Sequence, residues 1–333
     1  MSRSIRPSVG CAGMSNDPPL QLKPRLTISI EQAQAIVDRV PLHSRVHDVI
    51  ELRGGEISTI LEIVLADAPN CILKVYPTQL QWKMAKEVHV LGLLRDVAIP
   101  VPHILLADDT HSTIDLSFVL MSKLDGVMLG QREPELGDQE LFAIYAEMGA
   151  ALRRINDVTL DSFGYIGPNG VWTPHPSNRA YMSAQFERKL TEFCTRGGDP
   201  ALATRLRASI IARNHLLDAA QTPRLCHYDF HAGNVLVNAE GSPELSGIVD
   251  FENCTAGDPL MDIAKALYYF TPNDAPKRDG LLAGHGTRDR LDWEATIALY
   301  RLACTLELWC WFAQIGKTDV LPRLTMELES STN

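Results

Sequence analysis

A chain of 333 residues, 45% of them hydrophobic, carries enough apolar side chain for one large domain or two fused lobes, which excludes disorder of the whole. Its net charge of −10 and the lack of any basic run argue against a nucleic-acid partner, because nucleic-acid recognition is dominated by Lys and Arg on phosphates. No apolar run reaches the roughly 18 residues of a membrane-spanning helix, so no membrane partner is expected.

Residues 1–26, opening MSRSIRPSVGCAGMSNDPPLQLKP, lack the apolar core of a signal peptide and are expected to form a flexible polar tail. Ser29 followed three positions on by Gln32 is a capping-box pattern and predicts a helix from about Ile30 to Val40. Three strands follow in VHDVIELR, ISTILEIVLAD and CILKVYP, separated by Gly54-Gly55 and by the turn DAPN. LQWKMAKEVHVLGLLRDV has apolar residues at Leu80, Met84, Val88, Leu91 and Leu94, the period of an amphipathic helix. IPVPHILLADD and LSFVLMSKL read as two further strands. Together these segments predict a small mixed lobe over residues 27–122, with SKLDG (Ser122 to Gly126) as its exit. From Leu141 onward the chain reads as mostly helical, with periodic segments near 138–156, 179–195, 200–219 and 290–315. The interruption is the region around LCHYDFHAGNVLV, Leu225 to Val237. The seven cysteines are an odd number without a C-x-x-C pair, and several lie in apolar runs. They fit the buried, reduced thiols of a cytoplasmic protein better than a disulfide framework or a zinc site.

Two short strands each end in an Asp. HYDFHAGN sets Asp229 five residues before Asn234, and the apolar run of ELSGIVDFEN closes on Asp250. This spacing suits phosphoryl transfer. A carboxylate at Asp229 can orient a substrate hydroxyl and accept its proton, while Asn234 and Asp250 supply hard oxygen ligands for Mg²⁺ on nucleotide phosphates. Lys74, flanked by apolar residues in CILKVYP, would be costly to bury without an anion. Glu87 on the following helix is its candidate partner, and such a pair holds the α- and β-phosphates in kinase-like enzymes. Taken singly, Asp229, Asn234 and Asp250 fit ordinary turn chemistry at strand ends. Joined in order with Lys74 and Glu87, they favour a kinase.

On these residues the chain resembles the aminoglycoside phosphotransferase family, small-molecule kinases with a protein-kinase-like two-lobed fold. The family's H-x-D-x-x-x-x-N motif stands as His227, Asp229 and Asn234, its metal-binding aspartate as Asp250, and GDPLMDIA matches its G-D-P-x-x-D segment. The match runs in order from Gly54 to Asp262. The resemblance implies an α+β fold: a small mixed, nucleotide-binding N-lobe (27–122), with a five-stranded antiparallel sheet and one main helix, and a larger, mostly helical C-lobe (123–333) with the catalytic loop, metal and acceptor site. It implies ATP and Mg²⁺ as cofactors. RGGEISTIL becomes the nucleotide loop, keeping only Gly54 and Gly55, with Ser58 as a phosphate donor. FVLMSKLDGVML becomes the hinge, where backbone groups of Ser122 and Leu124 meet adenine.

Where the family often has Gly and Leu around its catalytic Asp, this chain has Tyr228 and Phe230. Tyr228 is expected to narrow the substrate side and Phe230 to pack into the core. His227 is expected to brace the loop from behind, and His231 either to contact a phosphate or to brace the loop. Asp262 is expected to accept hydrogen bonds from loop backbone. Trp309, Trp311 and Phe312 are expected in the core, and Glu252 and Glu307 are candidates for binding the acceptor. Residues 1–124 carry 13 acidic and 12 basic side chains, residues 125–333 carry 28 and 19, so the negative excess lies in the second part. A cleft walled by carboxylates concentrates cations. The expected acceptor is therefore cationic, an aminoglycoside-like antibiotic or another amine-bearing alcohol, with antibiotic resistance as the role. DFE at 250–252 is similar to choline and ethanolamine kinases, so a kinase of such alcohols or of a sugar is the alternative. A non-catalytic nucleotide-binding pseudokinase is the alternative outside enzymes. The motifs of P-loop enzymes, zinc hydrolases and α/β-hydrolases are absent.

Overall fold

The computed structural model describes residues 23, 26–52, 58–271 and 273–332. Most of the expected tail, together with Gly54 and Gly55, lies outside the described residues. The first helix, α1 (Ile30–Val37), starts at the expected capping box: the Gln32 N–H donates to the Ser29 hydroxyl and the Ser29 N–H to the Gln32 side chain. It stops short of Val40 because residues 38–42 turn to feed the first strand.

Five strands, β1 (Val46–Glu51), β2 (Thr59–Leu65), β3 (Cys71–Val75), β4 (Ile104–Asp108) and β5 (Phe118–Ser122), form one sheet in the order β1-β2-β3-β5-β4 with every pair antiparallel. Strand β4 begins later than IPVPHILLADD suggests, since Pro100 and Pro102 cannot donate to a ladder. Period-2 alternation divides β3 between two environments. Leu73 and Val75 join Ile36, Leu61, Ile63 and Phe118 in the core under α1. Lys74 and Tyr76 face the other way, toward α2 (Trp82–Leu93). That helix is shorter than its periodic segment, and its buried face includes Lys83, Lys86 and Glu87 beside Met84, Val90 and Leu91.

The C-lobe is built on seven helices beyond the short α3 (Leu129–Arg132). They are α4 (Asp138–Asn156), α5 (Asn178–Thr195), α6 (Pro200–Arg213), α7 (Leu260–Tyr268), α8 (Ala275–His285), α9 (Trp293–Gln314) and α10 (Leu321–Ser330). The expected segment at 200–219 is α6 followed by a 3-10 turn, and α7, α8 and α10 are additions to the expected set. Among them run two small antiparallel sheets. One pairs β6 (Val127–Met128) and β11 (Leu245–Ile248) on either side of β10 (Val235–Val237); the other has the order β8-β7-β12-β9, from β7 (Gly164–Gly167), β8 (Gly170–Val171), β9 (Arg224–Cys226) and β12 (Thr255–Gly257). The segment 227–234 therefore spans from β9 to β10, and Asp250 follows β11. Phe230 is fully buried there, in the core with Leu225, Val235 and Phe251.

Helices α4 and α8 pack backbone to backbone. A Cβ on Gly284 would stand 1.9 Å from the Ala146 carbonyl oxygen, and one on Gly280 would stand 2.3 Å from that of Phe142. Gly284→Ala is accordingly expected to lower stability by about 3 kcal/mol, the upper end of ordinary overpacking costs. Gly92→Ala in α2, with no heavy atom within 4 Å of the new Cβ, is expected to raise it by about 0.5 kcal/mol. Urea unfolding midpoints of the two variants check both signs.

Candidate active site

Lys74 stands at the centre of the interlobe cleft, 5% exposed. Its ammonium donates to Glu87 of α2 (2.8 Å) and to Asp250 (2.8 Å), and pairs with Glu252 at 3.1 Å. Glu87 is saturated in turn, accepting from the Tyr76 hydroxyl and the Phe251 N–H. Lys83, one helical turn before Glu87, donates to Glu252 (2.8 Å) and to the side-chain Oδ1 of Asn253 (3.1 Å). Glu252 is thus buried and engaged with two lysines, Lys74 and Lys83. Burial opposes the charge of Glu252, but Lys74 and Lys83 outweigh it and hold its pKa at about 2. For Lys74 burial is likewise overcome, by Asp250, Glu252 and Glu87, and its pKa lies well above the ordinary value. Asp250 is raised, first by burial and then by the two neighbouring carboxylates. Three carboxylates against two lysines leave an acidic surplus in which one oxygen each from Glu87, Asp250 and Glu252 lie within 4.8 Å of one another.

The 227–234 loop is held from below. Asp262 accepts from the His227 N–H (3.0 Å), the Tyr228 N–H (2.6 Å) and the Asn156 amide (2.8 Å). Burial raises the Asp262 pKa to about 6 against the pull of these bonds. His227 is fully buried: its Nε2 lies 3.1 Å from the Val249 carbonyl and its Nδ1 accepts from the Asp229 N–H (3.3 Å), the pattern of a neutral ring, and burial lowers its pKa. His231 contacts the loop itself, accepting from the Gly233 N–H (3.0 Å), with its Nε2 3.7 Å from Asp229. Tyr228 and Asp250 both have left-handed backbones, φ 60° and 68°. For a tyrosine this costs on the order of 1–2 kcal/mol, and it occurs where the related motif often has Gly.

The Asp229 carboxylate lines the cleft with one oxygen accepting from the Asn253 amide (3.2 Å) and the other from the Tyr269 hydroxyl (3.4 Å). Asn234 donates its amide N–H to the Asp229 carbonyl (2.9 Å), which leaves its side-chain oxygen without a partner among the described residues. The second oxygen of Asp250 is likewise unpartnered. These two hard oxygens fit a divalent cation. The Ser58 hydroxyl, buried on the same cleft with no hydrogen bond among the described residues, fits a phosphate oxygen. In the expected hinge, the Ser122 N–H donates to the His103 carbonyl and its hydroxyl accepts from the His103 N–H, so Ser122 is committed to the sheet. Only Leu124 of the two keeps a main-chain N–H without a partner among the described residues.

The cleft encloses about 860 Å³. Its far end is aromatic, with Tyr228, Tyr269, Trp311 and Phe312 on the wall. Trp309 is in the core, stacked 4.4 Å from Phe193, as expected. Trp311 and Phe312 are half-buried and line the cleft, and Phe312 also packs against the core. Of the charged side chains that line the cavity six are cationic and four acidic, and Glu307, near the aromatic end, stands 3.7 Å from Lys265. The expected wall of carboxylates is therefore absent among the described residues. Surplus acids after residue 124 pair on the surface instead, as Glu187 does with Arg207 and Asp279 with Arg288.

Residues 48–297 match the family model described as the phosphotransferase enzyme family (APH). The chain belongs to this family. No curated protein matches the sequence. Among solved structures, this phosphotransferase is similar to a thermostable mutant of aminoglycoside phosphotransferase APH(4)-Ia in its apo form, with a TM-score of 0.69 and 16% identity over 91% of this chain and 98% of that one. A ternary complex of a mutant of the same enzyme with ADP and hygromycin B gives a TM-score of 0.69 and 17% identity over 90% and 96%. A putative fructosamine-3-kinase from Thermobifida fusca gives 0.65 and 20% over 90% and 100%. At such identities the likeness is one of fold.

Sequence reasoning missed Lys83, Asn253, Tyr269 and Lys265. Lys83 could have been found four positions before Glu87 on the same helix face. The other three carry no local signal. Behind the phosphotransferase loop, Asn156 also accepts from His285 (3.0 Å), whose pKa burial pushes down to about 4. Below pH 6.5 the unfolded chain therefore binds a proton at His285 that the folded chain refuses until about pH 4, so this group destabilises the fold as pH falls. Asp262 has the opposite sign over the same window, because its folded pKa is raised. His285→Gln is expected to gain stability relative to wild type by up to about 3 kcal/mol between pH 7 and pH 4, read from chemical denaturation at several pH values.

Proposed function

We propose that this kinase transfers the γ-phosphate of ATP, with Mg²⁺, to a hydroxyl of a small molecule held at the aromatic end of the cleft. The observation that carries this reading is the bonding of Lys74 to both Glu87 and Asp250, with Asp229 and Asn234 opening on the same cavity. In it, residues up to Ser122 bind nucleotide: Lys74 meets the α- and β-phosphates, Ser58 gives a hydroxyl to a phosphate oxygen, and the Leu124 N–H meets adenine. Asn234 and Asp250 would hold Mg²⁺, which when bound neutralises charge on the phosphates. Asp229 orients the acceptor hydroxyl and takes its proton, its carboxylate held by Asn253 and Tyr269. His227, His231 and Asp262 fix the loop that carries it. The buried, unpaired Cys71, Cys226, Cys254, Cys304 and Cys310 support a cytoplasmic location.

For the acceptor, the hygromycin B bound by a structural neighbour supports an aminoglycoside-like molecule and a part in antibiotic resistance. The pairing of Glu307 with Lys265 beside the aromatic wall supports a metabolite such as a sugar instead.

Asp229→Asn is expected to lower kcat by about two to four decades and to leave Mg·ATP affinity within about twofold of wild type by calorimetry. A wild-type kcat on a good acceptor would reject the assignment. Asp250→Ala is expected to abolish the Mg²⁺ dependence of nucleotide binding in the same calorimetric titration.

A further inference from the structure

Lys265, on the last turn of α7, is 7% exposed and lines the acceptor end of the cleft. Its ammonium makes no hydrogen bond among the described residues. Glu307 of α9 stands 3.7 Å away, beyond hydrogen-bond length, and the Tyr228 ring centre 5.3 Å away. Glu307 has a buried Oε2 with no hydrogen bond among the described residues, and its charge helps to raise the pKa of the neighbouring Tyr228 hydroxyl. An ammonium carries three donors, and the Lys265 side chain, 8% exposed, presents its own to the cavity, where entering oxygens can fill them. Burial opposes its charge, yet Glu307 and other neighbours outweigh that and keep its pKa above the ordinary lysine value. Lys265 is therefore a standing cation beside the loop that carries Asp229, with unused donors that open into a cavity.

We infer that Lys265 binds the acceptor, and that with Glu307 it selects a molecule whose groups next to the reacting hydroxyl are oxygens, neutral or acidic, over one with an ammonium there. The inference rests on the phosphotransferase reading of this cleft and names its substrate class. Lys265 offers donors to a hydroxyl, carbonyl or carboxylate oxygen, and Glu307 accepts from a neighbouring hydroxyl. A substrate ammonium in the same place would meet Lys265 in a desolvated site, where like charges repel most strongly. Arg188, Lys189 and Arg323 on the same cavity are paired with Glu192 and Glu327, so the discrimination rests on Lys265. This reverses the expectation drawn from the net charge of residues 125–333.

The test uses the full chain and a panel of hydroxylated compounds in three matched classes, neutral sugars, sugar acids and amino sugars with aminoglycosides, read as ADP release. Higher kcat/KM in the neutral or the acidic class supports the inference, and the two arms tell a hydroxyl partner from a carboxylate. Highest kcat/KM for amine-bearing compounds overturns it. With the best acceptor, Lys265→Met should raise acceptor KM by about tenfold to a hundredfold, the scale of a lost charged hydrogen bond, while the KM for ATP stays unchanged. Lys265→Gln, which keeps a donor, should recover part of the loss. Unchanged acceptor KM in both variants, with wild-type melting curves, overturns the inference. Calorimetry with Mg·ATP separates the two levels. A wild-type protein that binds no Mg·ATP removes the phosphotransferase reading and this inference together, whereas one that binds it but prefers amines removes the inference alone.

Discussion

The buried ammonium of Lys74 is the constraint around which both lobes are arranged. Taking such a charge out of water costs several kcal/mol after relaxation, and only close carboxylates with their own hydrogen bonds offset that cost. Glu87 has to come from α2 and Asp250 and Glu252 from beyond β11, so one side chain of the N-lobe sheet ties a helix of its own lobe to the C-lobe. Lys83 adds a second positive charge that keeps Glu252 ionised. Helix α2 is further held by Trp82 against Trp172 and Tyr165, and by the Lys86 ammonium 3.8 Å above the Tyr165 ring. The Lys74–Glu87 pair is therefore part of the packed fold.

The same logic explains where backbone strain is concentrated. Two of the five non-glycine residues with positive φ among the described residues, Tyr228 and Asp250, flank the cleft from the two β-strand ends. The turn at Tyr228 is held by the two backbone N–H groups that Asp262 accepts, and Asp262 is in turn tied through Asn156 to His285. A buried polar chain thus spans the C-lobe from α8 to the loop. It stays satisfied because each member finds a partner, as buried polar networks must. Tyr228, in exchange for its unfavourable φ, gives the cleft an aromatic wall.

The five N-lobe strands, helices α1, α2, α4, α5, α6 and α9, and the set Lys74, Glu87, Asp229, Asn234 and Asp250 were legible in the sequence. Strands and amphipathic helices announce themselves by local periods, and the motif residues lie at fixed spacings on short segments. Helices α7, α8 and α10 were not legible. Helix α7 has nine residues, too short a run for its period to stand out, and its polar Asp262 and Lys265 are buried, while α8 packs through Gly280 and Gly284, which hydrophobic periodicity does not register. Trp311 and Phe312 resembled core residues by composition, and only the rotation of α9 against its neighbours turned them to the cleft.

Charge shows the division most clearly. The sequence by itself determined that the chain folds as a two-lobed α+β protein with one lysine, two aspartates and an asparagine suited to phosphoryl transfer, because those features depend on residue type and short-range spacing. It also determined how many charges there are, but not their neighbours. Glu252 is 178 positions from Lys74 and 169 from Lys83, and Lys265 meets Glu307 only where α7 crosses α9. Electrostatic character at a cleft depends on distances between such remote groups and on how far each is desolvated. Only the tertiary structure decided that the acidic surplus faces solvent while the aromatic end of the cleft carries a buried lysine.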